Sequence, residues 1–180
     1  MTDFPRVVVR PESLGDISAI REVDERAFGR PAEANLVDAL RARRKVVLSL
    51  VAVLDGRVVG HILSSPAAIE SGAGLFPVVA LAPMAVLPEY QRQGVGSLLV
   101  SAGLEECRRL GHECVIVLGH AEYYPRFGFV PASRYGIKSE FDVPDEGSWW
   151  SSWAQAPYTV APESRGISRS SRMCEPGNAR

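Results

Sequence analysis

The chain has 180 residues, 46% of them hydrophobic and 23% charged, with a formal net charge of -1. That profile excludes disorder throughout and suits one domain with a sizeable core. A near balance of 20 Lys+Arg against 21 Asp+Glu gives no electrostatic argument for nucleic acid or an anionic membrane as partner. There is no apolar run of about eighteen residues, and the N-terminus lacks the basic and then apolar regions of a secretory leader, so a cytoplasmic location is expected. Cys107, Cys114 and Cys174 show no C-x-x-C spacing, so neither a disulfide framework nor a metal centre is expected. Two biases stand out: Lys45 and Lys138 are the only lysines, as in a protein from a GC-rich gene, and all three tryptophans fall at 149, 150 and 153.

The elements follow in chain order. Val7 to Arg10 predicts a first strand, ended by Pro11. Asp16 stands at a helix N-cap, with Ile17, Ile20, Val23 and Ala27 as the apolar stripe and a stop near Gly29. A second helix starts at Ala32, presents Leu36, Val37 and Leu40, and closes on Arg41, Arg43, Arg44 and Lys45, cations that favour a helix C-terminus. Val46 to Leu54 is β-branched and apolar, Asp55-Gly56 is a hairpin turn, and Arg57 to Ser65 is the returning strand. The small residues from Pro66 to Gly74 predict a loop. Val78 to Val86 is nearly continuous apolar sequence, as in a central strand buried on both faces. A helix from Val95 to Leu110 with Gly111 at its C-cap and a strand from Glu113 to Leu118 complete a strand-helix-strand crossover. A short helical stretch at Tyr123 to Phe127 ends at Gly128, and Phe129-Val130 opens an extended segment reaching Phe141.

Chemistry concentrates in Gln91 to Ser97. Glycines at 94 and 96 let the backbone turn from strand to helix and leave N–H groups unpaired at a positive dipole end, a ready site for a pyrophosphate. A tight turn with no ligand would also account for a bare G-x-G. A Walker A loop is excluded because Ser97 follows Gly96 directly, and the dinucleotide fingerprint is excluded because Leu99 stands where its third glycine belongs.

Pro88-Glu89-Tyr90-Gln91-Arg92-Gln93-Gly94-Val95-Gly96 resembles motif A of the GNAT superfamily of N-acetyltransferases, in which Gln/Arg-x-x-Gly-x-Gly/Ala follows a buried strand. Tyr124-Pro125-Arg126-Phe127-Gly128-Phe129 is similar to the closing Tyr-x-x-x-Gly-Phe of the same family. The likeness spans residues 7 to 146 and implies an α/β fold: a mixed, mostly antiparallel central sheet, flanked by helices, with parallel strands 4 and 5 splayed apart. It implies acetyl-CoA as co-substrate. Its pantetheine arm would run along Met84, Ala85 and Val86, and its pyrophosphate would lie on Gln91, Arg92, Gln93, Gly94, Val95, Gly96 and Ser97. Tyr124 would be the general acid, since a phenol near pKa 10 is a reasonable proton donor to a departing thiolate, whereas Tyr123 reads as structural. Some members carry a glutamate base on the fourth strand, but Val78 to Val86 holds no carboxylate. His61, His120, Glu33 or a water relay are the remaining candidates. The acceptor would be a primary amine on a small molecule or peptide. A homodimer is common in the family, and a CoA-binding module without turnover is the alternative reading.

The final 34 residues fit this pattern poorly. Pro144-Asp145-Glu146 stands where members of the family lead into a last strand, yet residues 147–180 read as a poorly ordered tail of tryptophan, serine, proline and arginine. Four Arg and two Glu give it +2, leaving -3 for residues 1–146. With GC-rich codons, Ser148 to Trp153 read from the third base would encode Leu-Val-Val-Glu-Leu. A frame-shifted end is therefore one explanation of the tail, and a genuine divergent segment that binds a partner through exposed tryptophans is the other.

Overall fold

The computed structural model describes residues 7–71, 74–120, 122–135, 137, 148–152 and 167–168. Within them eight strands form one sheet in the order β1-β2-β3-β4-β5-β7-β6, with β8 on the outer side of β3. β1 (Val8–Pro11), β2 (Leu48–Leu54), β3 (Arg57–Ser71) and β4 (Gly74–Val86) are successively antiparallel. β4 and β5 (Cys114–Leu118) are the parallel pair, joined by α3 (Val95–Arg109). β7 (Ser148–Ser152) runs antiparallel between β5 and the two-residue β6 (Val130–Pro131), and β8 (Ile167–Ser168) pairs with Ala68 and Ile69. The mixed, mostly antiparallel sheet flanked by helices is the expected fold class.

Strand alternation decides which helix covers which face. Gly60 points to α3: a Cβ there would lie 2.9 Å from Cδ1 of Leu99 and 3.3 Å from Cγ1 of Val95. Its neighbour His61 points to the opposite face, where α1 (Ile17–Phe28) and α2 (Ala32–Ala42) pack. Ile20, Val23, Val37, Val51, Val59, Ile62, Leu63, Leu99 and Val100 are almost wholly removed from water. At about 1.5–3 kcal/mol per buried aliphatic side chain, this cluster dominates the favourable side of folding.

α1 stops where the sequence predicts, at Gly29 with φ +67. Asp16 stands at the N-cap position of α1 as expected, but its side chain makes no capping bond to the helix. Its carboxylate turns back and accepts hydrogen bonds from the Ser13 amide and hydroxyl at 2.7 Å each and from both terminal nitrogens of Arg10 at 2.7 and 2.9 Å. Asp55 and Gly56, at φ +50 and +80, make the predicted hairpin turn.

Three expectations are corrected. The expected loop from Pro66 to Gly74 is, at residues 66–71 and 74, the outer part of a long β3–β4 hairpin. β2 ends its pairing opposite Ser64, so Pro66 sits on an edge where no ladder donor is required. Ala67, Ile69, Val78 and Ala80 bury a second apolar cluster with Cys114, Ile116, Ala132, Ile137 and Trp150. The extended segment from Phe129 shortens to β6 followed by a 3-10 turn at Ala132–Tyr135, and its end at Phe141 lies outside the described residues. The last strand is not missing. Ser148–Ser152 supplies it, Trp149 and Trp150 are buried, and the sheet continues past Glu146. Trp149 reaches both requirements of a buried indole, packing in the main core and donating Nε1–H to the Gly119 carbonyl at 3.3 Å.

Candidate active site

The site grows from one irregularity in the sheet. β4 and β5 pair at only three positions, Val79 with Val115, Ala80 with Ile116 and Leu81 with Val117. β4 then runs on to Val86, whereas Leu118 at the end of β5 is matched with Ser148 of β7. The parallel strands therefore part after Leu81, and among the described residues the end of β4 has β3 alone as a strand neighbour. The register against β3 shifts between Ile62 and Ser64, leaving Ala82 and Pro83 both opposite Leu63. Such a bulge bends the strand where its partner is lost. An unpaired strand edge is a hydrogen-bonding template for an extended ligand.

β4 passes through a 3-10 turn at Pro88–Tyr90 into α3. Arg92 and Gly94 have φ of +59 and +87, and Gly94 is the N-cap residue. Two side chains of this loop serve the protein itself. Gln91 donates Nε2–H to the Val86 carbonyl at 2.9 Å, and Gln93 donates to the Glu89 carbonyl at 2.8 Å. They brace the loop from below. Residues Gln91 to Gly94 are exposed, and the first-turn amides of Val95, Gly96 and Ser97 have no acceptor within the helix. Met84 is half-buried, and Ala85 and Val86 are buried.

Beyond β5, Tyr123 N–H bonds the His120 carbonyl at 3.1 Å, and a 3-10 turn at Tyr124–Phe127 ends on Gly128 with φ +84. Tyr124 is buried, edge-on to Phe129 at 5.6 Å. Its ring lies so close to Gly119 that a Cβ there would fall 2.3 Å from Cε2. Burial, reinforced by Tyr123, pushes the Tyr124 phenol up, so it stays protonated throughout the physiological range. Tyr123 sends its hydroxyl to α3, 2.8 Å from where a Gly96 Cβ would stand, and that oxygen is buried without a hydrogen-bond partner. Loop, helix start, open strand and tyrosine turn thus meet in one place.

Residues 17–129, from α1 to the end of the aromatic turn, match the family model described as the acetyltransferase (GNAT) family. The chain belongs to the GNAT family. Among curated proteins, this GNAT chain is 42% identical over 150 residues to the uncharacterized N-acetyltransferase YjhQ of Escherichia coli K12, covering 82% of each chain. It is 35% identical over 133 residues to the uncharacterized N-acetyltransferase YhbS of the same strain, covering 73% of this chain and 78% of YhbS. Among solved structures, YhbS in complex with CoA superposes with a TM-score of 0.81 at 28% identity, over 93% of this chain and 91% of YhbS. A Brucella melitensis GNAT acetyltransferase in complex with acetyl-CoA gives 0.72 at 32%, over 91% and 96%. Family and relatives bear out the expected enzyme class, an N-acetyltransferase.

The candidate bases of this GNAT protein fall in different surroundings. His61 is wholly buried under α1, with Nδ1 3.2 Å from Oδ1 of Asp24 and Nε2 3.0 Å from Oγ of Ser49. Ser49 in turn donates to Glu12, which is paired with Arg41. Burial alone would raise the Glu12 carboxyl; hydrogen bonds from Arg41 and Ser49 outweigh it and hold the group below its usual range. Both nitrogens of His61 are engaged inside the protein. Glu33 is paired with Arg30, and its carboxyl is lowered by that contact. His120 is exposed in the loop after β5. Among the described residues no group of His, Cys, Asp and Glu could hold a metal ion, and no helix is long and apolar enough to cross a membrane.

Sequence reasoning missed two features. The chain Asp24–His61–Ser49–Glu12 joins residues 12 to 37 positions apart in sequence, and no local spacing announces it. Tyr123 packs against Tyr124 and Phe127, in keeping with a structural residue; what the sequence does not show is that its buried hydroxyl has no hydrogen-bond partner.

Proposed function

We propose that this protein uses acetyl-CoA to acetylate a primary amine of a small molecule or peptide, by direct attack. The observation that carries the reading is the end of β4: pairing with β5 stops at Leu81 while β4 continues beside β3 to Val86 and the chain then enters the amide-rich start of α3. In this reading the pantetheine arm adds to Met84, Ala85 and Val86 as a strand would. The N–H groups from Arg92 to Ser97 hold the pyrophosphate. The Gln91 side chain secures the Val86 carbonyl, so the strand end keeps its position when the ligand enters. A backbone N–H near Val86 polarises the acetyl carbonyl.

The amine nitrogen attacks the acetyl carbonyl carbon, the carbon–sulfur bond breaks, and the Tyr124 phenol gives its proton to the departing sulfur. The nitrogen loses its own proton to water; the buried His61 is closed off from that task. The proton taken up by water restores the Tyr124 phenol, and the products are the N-acetylated amine and CoA. Calorimetric titration with acetyl-CoA, followed by free-thiol release across a panel of amines, tests the proposal. Micromolar binding with amine-dependent thiol release is expected. Binding without release on any amine would favour a CoA-binding module, and no binding by folded protein would overturn both.

A further inference from the structure

We infer that Tyr123 is a cofactor-positioning residue, its hydroxyl donating a hydrogen bond to a pyrophosphate oxygen of the bound acetyl-CoA. This rests on the reading of the cleft given above. The starting point is a hydroxyl out of place. The Tyr123 oxygen is removed from solvent and has no acceptor in the protein, a state that costs free energy and that proteins rarely leave uncompensated.

Its surroundings say what the missing partner is. The oxygen lies against Gly96, the second residue of α3, 2.8 Å from the position of a Cβ. Sδ of Met84 lies 3.5 Å from the same point, so the hydroxyl stands between the first turn of the helix and the open end of β4. A phenol hydroxyl, which can donate, beside helix amides that have no acceptor within the helix adds one more donor to that end of the cleft, and a cluster rich in donors suits an oxygen-rich anion. The phenol is also held in place. Its ring is edge-on to Tyr124 at 5.2 Å, tilted against Phe127 at 5.4 Å, and covered by the Arg126 guanidinium 4.6 Å from the centroid. A donor fixed before the ligand arrives loses little freedom on binding. Gly96 gains a second reason to be glycine, because any side chain there would displace the Tyr123 hydroxyl.

The test is Tyr123→Phe, which removes one oxygen and keeps the ring. Affinity for CoA and for ADP, which carries both phosphates without the pantetheine arm, is measured by calorimetry, and the melting temperature is measured without ligand. The expected result is about a tenfold weaker affinity for both ligands, an unliganded melting temperature equal to or above wild type, and a raised KM for acetyl-CoA at nearly unchanged kcat. Wild-type affinity for CoA in the variant would overturn the inference, as would weakened CoA binding with ADP affinity unchanged, which would place the hydroxyl on the pantetheine arm. A fall in melting temperature with no separate loss of affinity would show a packing role. If wild-type protein binds neither ligand, the acetyl-CoA reading itself fails with it.

Discussion

Polar groups are buried in two regions of this protein, and they are finished differently. Under α1, Asp24, His61, Ser49, Glu12 and Arg41 form a chain in which each side chain meets the next, leaving only Oδ2 of Asp24 without a partner. On the other side, where β4 leaves β5, the end of β4 has no strand partner but β3 among the described residues, the first-turn amides of α3 have no acceptor within the helix, and the Tyr123 hydroxyl has no hydrogen-bond partner. The first region has more ionisable groups, including the His-carboxylate pair that a search for catalytic residues would choose. The second holds arginine and tyrosine instead, at Arg92, Tyr123, Tyr124 and Arg126. In the proposed reading, the candidate site is chosen for its open strand edge and helix start, and not for its density of charge. A closed network contributes to stability; an open one contributes to binding.

That contrast can be broken most sharply at Tyr124. Tyr124→Phe is expected to lower kcat about a thousandfold, with acetyl-CoA affinity within about twofold of wild type; equal losses in both would reduce Tyr124 to a packing residue. On the closed side, His61→Ala opens a cavity and strands the buried Asp24 carboxylate, for an expected loss of about 3 kcal/mol in urea unfolding. The remaining folded protein should bind acetyl-CoA normally. A weakened affinity at full stability would put His61 in the site and undo the comparison. Gly119→Ala drives a methyl into the Tyr124 ring and should cost about 1–3 kcal/mol, together with turnover, since it moves the same phenol. Unchanged stability would mean that the ring moves aside freely.

Asp16 gives the smallest effect and a defined pH dependence. The hydrogen bond from Arg10 is the largest influence on its carboxyl and, with the Ser13 bonds, outweighs burial and holds it far below the usual range. A carboxyl lowered by folding stabilises the native state above its unfolded pKa of about 3.9 and loses that contribution as pH falls toward the folded value. Asp16→Asn should therefore cost about 1–2 kcal/mol at pH 7, and the gap to wild type should narrow steadily below pH ~4. A gap independent of pH would show that the charge is irrelevant.

The fold was legible in the sequence wherever local chemistry decides the backbone. Gly29, Asp55-Gly56, Gly111 and Gly128 take the left-handed conformations that their turns require, and the helices they end were placed within a residue or two. The outer half of the β3–β4 hairpin was misread because small residues and two prolines signal loop, while the pairing of Ala67 with Val78 and of Ile69 with Phe76 is a tertiary fact. The tryptophan strand was missed because Ser-Trp-Trp-Ser-Ser has no clean alternation. Its burial depends on β5 and β6 on its two sides. At the site, Gln91 to Ser97 and Tyr124 came from motif and resemblance. The bonds of Gln91 and Gln93 to nearby carbonyls depend on how the loop folds back on itself, and the place of the Tyr123 hydroxyl depends on Gly96, distant in sequence, so both needed coordinates.

Backbone hydrogen exchange with and without acetyl-CoA tests the central claim most directly, because it reads both regions in one experiment. The account predicts added protection at Met84 to Val86 and Arg92 to Ser97, with little change from Val58 to Ile62 beyond the general stabilisation that any ligand brings. Protection centred on the His61 region, with none at the end of β4 or the start of α3, would contradict it.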